Sequence, residues 1–164
     1  MTWKAGVDVV SFGTTKNGTM NVDAVVVFDE KIAQKIRFLH KRAGFLSSKM
    51  RFMSVQLLAY LEDDLWIKNA RIANANAARL ATGIELIADA KLSSPVEANE
   101  LFPRLPEAFM RSLESANIRL RSWPDPKGDL YRLVTSFCDS EKVLRTFEAV
   151  CHGYPVHGDI NQGA

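Results

Sequence analysis

Residues 7–28 read VDVVSFGTTKNGTMNVDAVVVF, which is two β-branched runs joined by a polar loop. Residues 7–12 and 24–28 form the runs, and neither run alternates cleanly between apolar and polar side chains. Short continuous apolar runs are typical of strands that are covered on both faces. Within the loop, Asn17-Gly18 is a strong turn signal. The pattern therefore predicts two buried strands joined by a tight loop.

Helical periodicity replaces the strand pattern after the second run. Ile32, Ile36 and Leu39 recur at i, i+4 and i+7, which predicts a helix that ends near Gly44. Two further apolar stripes predict two helices, or one bent helix, as far as about Ala90. The first stripe consists of Met50, Met53, Leu57, Leu61 and Leu65, and the second, after the acidic step Glu62-Asp63-Asp64, consists of Ala73, Ala77, Leu80, Ile84 and Ile87.

Beyond Pro95 the pattern alternates between short strands and helices. Residues 124–128 read PDPKG, which is good turn chemistry between two strands. An antiparallel sheet with helices on one face is the predicted arrangement. Strands are predicted at residues 96–102, 118–123 and 130–137, and helices at residues 106–116 and 140–150.

Length and composition exclude several classes of protein. The chain has 164 residues, 47% of them hydrophobic, and a formal net charge of +2, so we expect no nucleic-acid partner. Cys138 and Cys151 lack metal-ligand or disulfide-framework spacing, and Cys151 with His152 and His157 lies at a helix end and in a glycine-rich tail. We therefore expect no metal.

No apolar run approaches the ~20 residues of a membrane helix, and the N-terminus lacks an apolar leader, so we expect a cytoplasmic protein without a membrane partner.

Lys16 is the first candidate for chemistry. It follows a predicted buried strand and lies in a loop of small residues, where backbone can approach a ligand closely. Desolvation there would favour the neutral amine, which can form a Schiff base. The alternative is an ordinary solvated loop lysine. A Walker A phosphate loop is excluded, because no Gly-Lys-Ser/Thr sequence is present in this loop.

Arginine provides the second candidate. Arg132 lies among apolar neighbours in a predicted strand, an unusual place for a charge unless it is paired, and its planar fork suits a carboxylate. The alternative is an edge-strand arginine in solvent.

The segment from residue 31 to residue 51 is strongly basic, and it is either a solvated helical face or a contact for a ligand. Its seven cations are Lys31, Lys35, Arg37, Lys41, Arg42, Lys49 and Arg51, but the net charge of the whole chain is only +2, which argues against a nucleic-acid interface.

Five segments in order resemble the threonine aldolases, within the β-eliminating lyase group of pyridoxal-phosphate enzymes. They are DVVSFGTTKNG at residues 8–18, KMRFMSVQLLAYL at 49–61, NANAARLA at 74–81, PVEAN at 95–99 and YRLVTSF at 131–137. The resemblance implies an α/β fold, the C-terminal half of an aminotransferase-like protein of fold type I. Residues 1–90 would be the end of the large cofactor-binding domain, and residues 91–164 would be a small C-terminal α/β domain.

The same resemblance implies roles for individual residues. Lys16 would form the Schiff base with pyridoxal phosphate, and Arg132 would bind the substrate carboxylate. Arg51 would reach the cofactor phosphate or the substrate region of a neighbouring subunit, with Lys41 or Arg42 as secondary candidates for this contact. The remaining residues that would line the cofactor loop are Trp3, Thr14 and Thr15.

The implied reaction is cleavage of a β-hydroxy-α-amino acid to glycine and an aldehyde. The implied partners are the amino-acid substrate and either further copies, as a dimer or tetramer, or a separate N-terminal half. Family features that lie upstream of the cofactor lysine, including the ring-stacking histidine and the aspartate for the ring nitrogen, have no counterpart in this sequence. The alternatives are therefore a non-catalytic remnant that acts as an oligomerisation or interaction module, or a β-eliminating lyase for aromatic amino acids.

Overall fold

The computed structural model describes residues 2–155, and the chain divides into two compact units after Ile67. The N-terminal unit contains the strands β1 (Val9–Gly13) and β2 (Asp23–Val27) and the helices α1 (Glu30–Arg42) and α2 (Arg51–Leu61). Helix α3 (Leu65–Glu85) begins in this unit and continues into the C-terminal unit. The predicted domains 1–90 and 91–164 concern the organisation of a longer protein and stay a prediction.

β1 and β2 form an antiparallel hairpin, with Val9 opposite Val27 and Gly13 opposite Asp23. The prediction that both strands are buried is wrong, because Val25 is 58% exposed and Val9 is 39% exposed. The physical reason is a lack of packing partners. In the part of the chain that the structure describes, β1 and β2 pair only with each other, so no neighbouring strands place side chains beside theirs and much of the two faces stays open to solvent.

The predicted helices of the N-terminal unit are confirmed. Asp29 caps α1, because its Oδ1 accepts a hydrogen bond of 2.8 Å from the backbone N–H of Ile32. Gly44, just beyond α1, has a φ of +78°, a conformation that glycine adopts without strain. Two helices, rather than one bent helix, follow. Asp63 and Asp64 have φ values of 50° and 57°, and this left-handed step separates α2 from α3.

The C-terminal unit is a small α/β layer. Its central sheet has the order β4 (Glu100–Leu101), β7 (Tyr131–Val134), β6 (Arg121–Ser122), with antiparallel neighbours. A second pair joins β3 (Lys91–Leu92) to β5 (Pro103–Arg104). The helices α4 (Glu107–Ser115) and α5 (Glu141–His152) complete the unit. The core side chains come from α3, α4, α5 and the sheet, and they include Ile84, Leu101, Phe109, Leu113, Leu133 and Phe147.

The strands of this unit are shorter than predicted, and β3 and β5 were not predicted. Next to the paired residues of β4 and β7, Asn99 and Thr135 are joined by one side-chain and one backbone hydrogen bond. The amide of Asn99 donates to the carbonyl of Thr135 at 2.8 Å, and the backbone N–H of Thr135 donates back to the carbonyl of Asn99 at 2.9 Å. Two-residue strands leave no periodicity in a sequence, which explains why β3 and β5 were missed.

Two carboxyl groups that are paired with arginines make the stability of the C-terminal unit depend on pH. Hydrogen bonds from Arg104 hold the pKa of Asp125 at about 2, and hydrogen bonds from Arg79 and then Arg145 hold the pKa of Glu141 at about 2. Unfolded Asp and Glu titrate near ~4, so the unfolded chain binds more protons between these values. The contribution to stability is therefore full above pH ~4.5 and is lost as the pH falls through about 2.

We expect the urea midpoint of unfolding to fall between pH 5 and pH 2. In the double variant Asp125→Asn, Glu141→Gln this fall becomes smaller, because the two depressed carboxyl groups are gone. Circular dichroism during urea titration at both pH values measures the effect. An equal fall in the wild type and the double variant would contradict the assignment.

Candidate functional site

The predicted site residues of the N-terminal unit begin in the loop between β1 and β2. Residues Thr15–Asn17 form one turn of 3-10 helix, and Lys16 lies in its middle with its side chain exposed. Lys16 is therefore accessible in this chain, and the described residues do not supply the apolar cover expected from the sequence. The turn is short and directly follows β1, so it presents the lysine at the end of a strand.

Thr14 stabilises this loop from inside. Its backbone N–H donates to Asp23 Oδ1 at 2.9 Å, and its hydroxyl lies 2.7 Å from the hydroxyl of Thr19. The same hydroxyl also donates to the carbonyl of Val22. Thr14 is fully buried, whereas Thr15 is exposed beside Lys16. Of the two threonines, Thr15 is thus accessible to a ligand, and Thr14 uses its hydroxyl to close the loop.

Asn17 holds the other end of the turn. Its side-chain amide donates to the hydroxyl of Tyr60 at 2.6 Å and to the carbonyl of Trp66 at 3.0 Å. Sequence reasoning interpreted Asn17 only as a turn residue and did not single out Tyr60 for a role. The single signal in the sequence was a polar side chain next to the candidate lysine.

The remaining cations of the N-terminal unit lie on its helices. Arg51 begins α2, and its guanidinium lies 5.0 Å from the centre of the Phe52 ring. Lys41 and Arg42 lie in the last turn of α1, where positive charge is favourable for the helix dipole. Trp3 is exposed, with the Lys4 ammonium 5.5 Å from its ring centre. The structure therefore brings Thr14, Thr15 and Lys16 together in one loop and places Arg51 on a separate element of the same unit.

Arg132 lies in the C-terminal unit, on β7. The neighbouring side chains Tyr131 and Leu133 pack against the hydrophobic core, so alternation directs Arg132 to the opposite face of the sheet. There its Nε donates to Glu100 Oε1 at 2.9 Å, and its Nη2 donates to the same oxygen. Its guanidinium also lies 5.3 Å from the ring centre of Trp123. Arg132 is thus a paired, half-buried cation.

The surroundings of Arg132 are strongly basic. Arg121 lies directly opposite it on β6, and like charges in that position repel unless a carboxylate offsets them. A cavity of about 590 Å³ adjoins the pair. Its charged lining residues are Arg119, Arg121, Arg132 and Asp139, three positive and one negative, and Leu144 and Phe147 are among its apolar lining residues. This combination suits an anionic group attached to a small apolar body. Neither Glu100 nor Trp123 was singled out from the sequence, because each meets Arg132 only through folding.

Within residues 2–155, no group of three His, Cys, Asp or Glu side chains is placed to hold a metal ion. His157 lies outside the described residues, so the expected absence of metal stays a prediction. In the same part of the chain, no helix is both long enough and apolar enough to cross a bilayer.

The two cysteines are expected to react very differently. Cys151 is fully buried, and burial raises its pKa to about 12, whereas Cys138 is exposed. Thiolates are the reactive form, so at pH 8 iodoacetamide should alkylate Cys138 and leave Cys151 unmodified in the folded chain. In urea both should react at similar rates. Peptide mass mapping measures both rates, and rapid alkylation of Cys151 in the folded chain would contradict its placement in the core.

The lysine loop fits covalent attachment of a carbonyl cofactor in one specific respect. Lys16 presents an accessible amine on a turn that Thr14 and Asn17 hold at its two ends. A flexible loop would not give the amine a defined position. Arg51 on α2 is an exposed cation of the same unit that is chemically suited to a phosphate. The residues that are present therefore fit pyridoxal phosphate.

Solved structures place this architecture in a known class. The threonine aldolase of Leishmania major is similar with a TM-score of 0.77 and 26% identity, over 90% of this chain and 43% of that one. The α-aminoadipate aminotransferase LysN of Thermus thermophilus, solved with N-(5'-phosphopyridoxyl)-L-leucine, shares the fold with a TM-score of 0.56 and 14% identity, over 93% of this chain and 44% of its own. The fold is that of part of a fold-type-I pyridoxal-phosphate enzyme.

The sequence comparison identifies the family. Residues 1–107 match the beta-eliminating lyase profile, and the chain belongs to the beta-eliminating lyase family, whose cofactor is pyridoxal phosphate. A low specificity L-threonine aldolase of a Pseudomonas species is 40% identical over 119 residues, which are 73% of this chain and 34% of the relative. Its counterpart in Pseudomonas aeruginosa is 41% identical over 126 residues, 75% of this chain and 34% of the relative.

These comparisons confirm the predicted family, fold class and cofactor. The chain spans about a third of the length of the curated relatives that it matches, 34% in each case. The roles of Lys16, Thr14, Thr15, Arg51 and Arg132 stay predictions.

Proposed function

We propose that this chain forms part of a lyase that cleaves a β-hydroxy-α-amino acid to glycine and an aldehyde. The observation that carries the proposal is the position of Lys16. Its amine is exposed on a turn that is held at both ends, within the residues that match the family profile. The 40% identity to a low specificity L-threonine aldolase supports this reaction over others of the same family.

In the proposed reaction the Cα–Cβ bond breaks. The hydroxyl on Cβ loses its proton and becomes the aldehyde carbonyl, while Cα keeps the electron pair and takes a proton to become glycine. Pyridoxal phosphate, when bound, supplies the electron sink that makes this cleavage possible. The protein supplies attachment, orientation and charge.

Lys16 would hold the cofactor through Nζ, and whenever its amine is free it can hold or release a proton close to the reacting atoms. Arg51 offers its guanidinium to the phosphate, and Thr15 offers the accessible hydroxyl of the loop. Each of these groups is exposed on the N-terminal unit, as binding requires.

Arg132 orients the substrate through its carboxylate. The guanidinium can form two parallel hydrogen bonds, and the ring of Trp123 supports one of its faces. Glu100 occupies part of this fork in the structure, so an incoming carboxylate must share or displace it. A free carboxylate with two oxygens can use the fork more fully than the single oxygen of Glu100.

Assembly with another chain or segment is part of the proposal. Phe38 is 78% exposed and Phe45 is 71% exposed, and both lie at or near the basic end of α1. Exposed aromatic side chains of this kind are typical of surfaces that a partner covers. A homo-oligomer, or a separate N-terminal half, would provide that cover. A cytoplasmic location is also part of this proposal.

Product analysis tests the reaction. The chain is coexpressed with the N-terminal region of the Pseudomonas aeruginosa relative, purified with pyridoxal phosphate and given L-threonine. Glycine and acetaldehyde in equal amounts, lost in the Lys16→Ala variant, are the expected result. Pyruvate and ammonia from an aromatic amino acid would instead indicate a β-eliminating lyase. A stable complex without either activity would indicate the oligomerisation module.

A further inference from the structure

The lysine turn is tied to the helices of its own unit by one side chain. The amide nitrogen of Asn17 donates to the Tyr60 hydroxyl at 2.6 Å and to the Trp66 carbonyl at 3.0 Å. Tyr60 is near the end of α2, and Trp66 is in the first turn of α3. A single residue directly after Lys16 therefore connects the loop to both helices.

The acceptors of these bonds are themselves held in place. Tyr60 is only 4% exposed, and the ring of Phe12, in β1, lies 6.3 Å from its ring. The same Phe12 ring meets the indole of Trp66 edge to face at 5.7 Å. The hairpin and the two helices thus share an aromatic cluster, and Asn17 forms bonds with a rigid part of the unit rather than with a flexible side chain.

Backbone bonds relate Asn17 to the rest of the loop. The backbone N–H groups of Asn17 and Thr19 donate to the carbonyl of Thr14, at 3.1 Å and 3.3 Å. Thr14 is fully buried and closes the N-terminal side of the turn. Lys16 is therefore flanked by a buried anchor on one side and by the side-chain bonds of Asn17 on the other.

We propose that Asn17 is the positioning residue of Lys16, and that its amide sets where the lysine amine is presented. This inference rests on the proposed function of Lys16 as the attachment residue. The four-carbon side chain of a lysine is flexible, so the position and direction of its backbone decide which region the amine can reach. When two hydrogen bonds fix the loop backbone, less conformational freedom is lost on attachment of the cofactor, which is a preorganisation effect.

An isosteric variant separates hydrogen bonding from packing. Asn17→Asp keeps the size of the side chain, but a carboxylate cannot donate to the carbonyl of Trp66. Asn17→Ala removes both bonds. Tyr60→Phe keeps the ring in the aromatic cluster and removes only the hydroxyl acceptor. Asn21→Ala is the matched control, since Asn21 is an exposed asparagine in the same hairpin connection.

The full-length chain is incubated with pyridoxal phosphate and reduced with borohydride, and peptide mass mapping gives the share of label on Lys16 relative to Lys31. A neutral hydrogen bond changes an equilibrium by about tenfold or less, so we expect about a tenfold lower share of label on Lys16 in Asn17→Ala and a smaller loss in Asn17→Asp, which gives up the bond to Trp66. Tyr60→Phe should show a smaller loss in the same direction, and Asn21→Ala none. Thermal unfolding by circular dichroism verifies that each variant is folded.

Hydrogen exchange of the Thr19 amide, measured without cofactor, is the second readout. Faster exchange in Asn17→Ala than in Asn21→Ala supports the proposal. Unchanged exchange together with an unchanged share of label on Lys16 overturns it. If wild-type Lys16 is not labelled above Lys31, the attachment role fails, and the exchange result alone then decides whether Asn17 orders the loop. If Asn17→Asp labels like the wild type, side-chain donation is not the cause and the proposal fails.

Discussion

Lys16→Ala is expected to abolish specific attachment of pyridoxal phosphate to this chain. An alanine has no amine, and the proposed attachment requires the Lys16 Nζ on the turn between β1 and β2. After borohydride reduction, labelling should fall to the background spread over surface lysines. Because the Lys16 side chain is exposed, the free energy of unfolding should change by no more than about 0.5 kcal/mol.

Lys31→Ala provides the matched control, since it removes an exposed lysine on α1 and should leave the label on Lys16 unchanged. Lys16→Arg keeps the positive charge without a primary amine and should behave like Lys16→Ala. Peptide mass mapping of all four chains measures the result. If Lys16→Ala carried as much label after borohydride reduction as the wild type, the attachment residue would be another lysine.

Arg132→Ala is expected to weaken amino-acid binding by about 10- to 100-fold, because hydrogen bonds to charged groups contribute roughly 1.5–3 kcal/mol. The effect should fall mainly on KM, measured with L-threonine in the coexpressed assembly, while kcat changes less. Arg132 is 33% exposed and Glu100 is 37% exposed as side chains, so their ion pair itself contributes little to stability. The variant should therefore remain folded.

Arg111→Ala is the control for this change. Arg111 is an exposed arginine of the same unit that pairs with Glu107 on its own helix, so KM should stay at the wild-type value. Glu100→Gln should lower KM, because an amide competes less well than a carboxylate for the Arg132 fork. A higher KM in Glu100→Gln would show instead that Glu100 orients Arg132 for the substrate. An unchanged KM in Arg132→Ala would remove Arg132 from the site.

Periodicity was sufficient for the helices and for the location of the lysine loop. In α1, the Ile32 stripe and the capping carboxylate of Asp29 lie within a few residues of each other, so the sequence contains the whole local signal. The acidic step before Leu65 likewise marked the separation of α2 from α3. These features depend on backbone preferences and neighbouring side chains, and such information is local.

The exposure of β1 and β2 was not predictable in the same way. Their β-branched residues are compatible with a covered strand, and whether cover exists depends on which other elements lie beside the hairpin and on its two faces. In the described residues the hairpin is a two-stranded sheet, so Val25 is 58% exposed. The composition of a strand indicates whether its side chains are compatible with burial, whereas only the folded structure shows which neighbours cover them.

The two candidate centres show the same division. Sequence alone assigned Lys16 to a turn and identified Arg132 as a charge that needs a partner, because both inferences use only adjacent residues. Tertiary structure alone paired Arg132 with Glu100, 32 positions away, and Asn17 with Tyr60, 43 positions away. A hydrogen bond requires a distance near 3 Å between two atoms, and only the folded chain brings such distant residues that close.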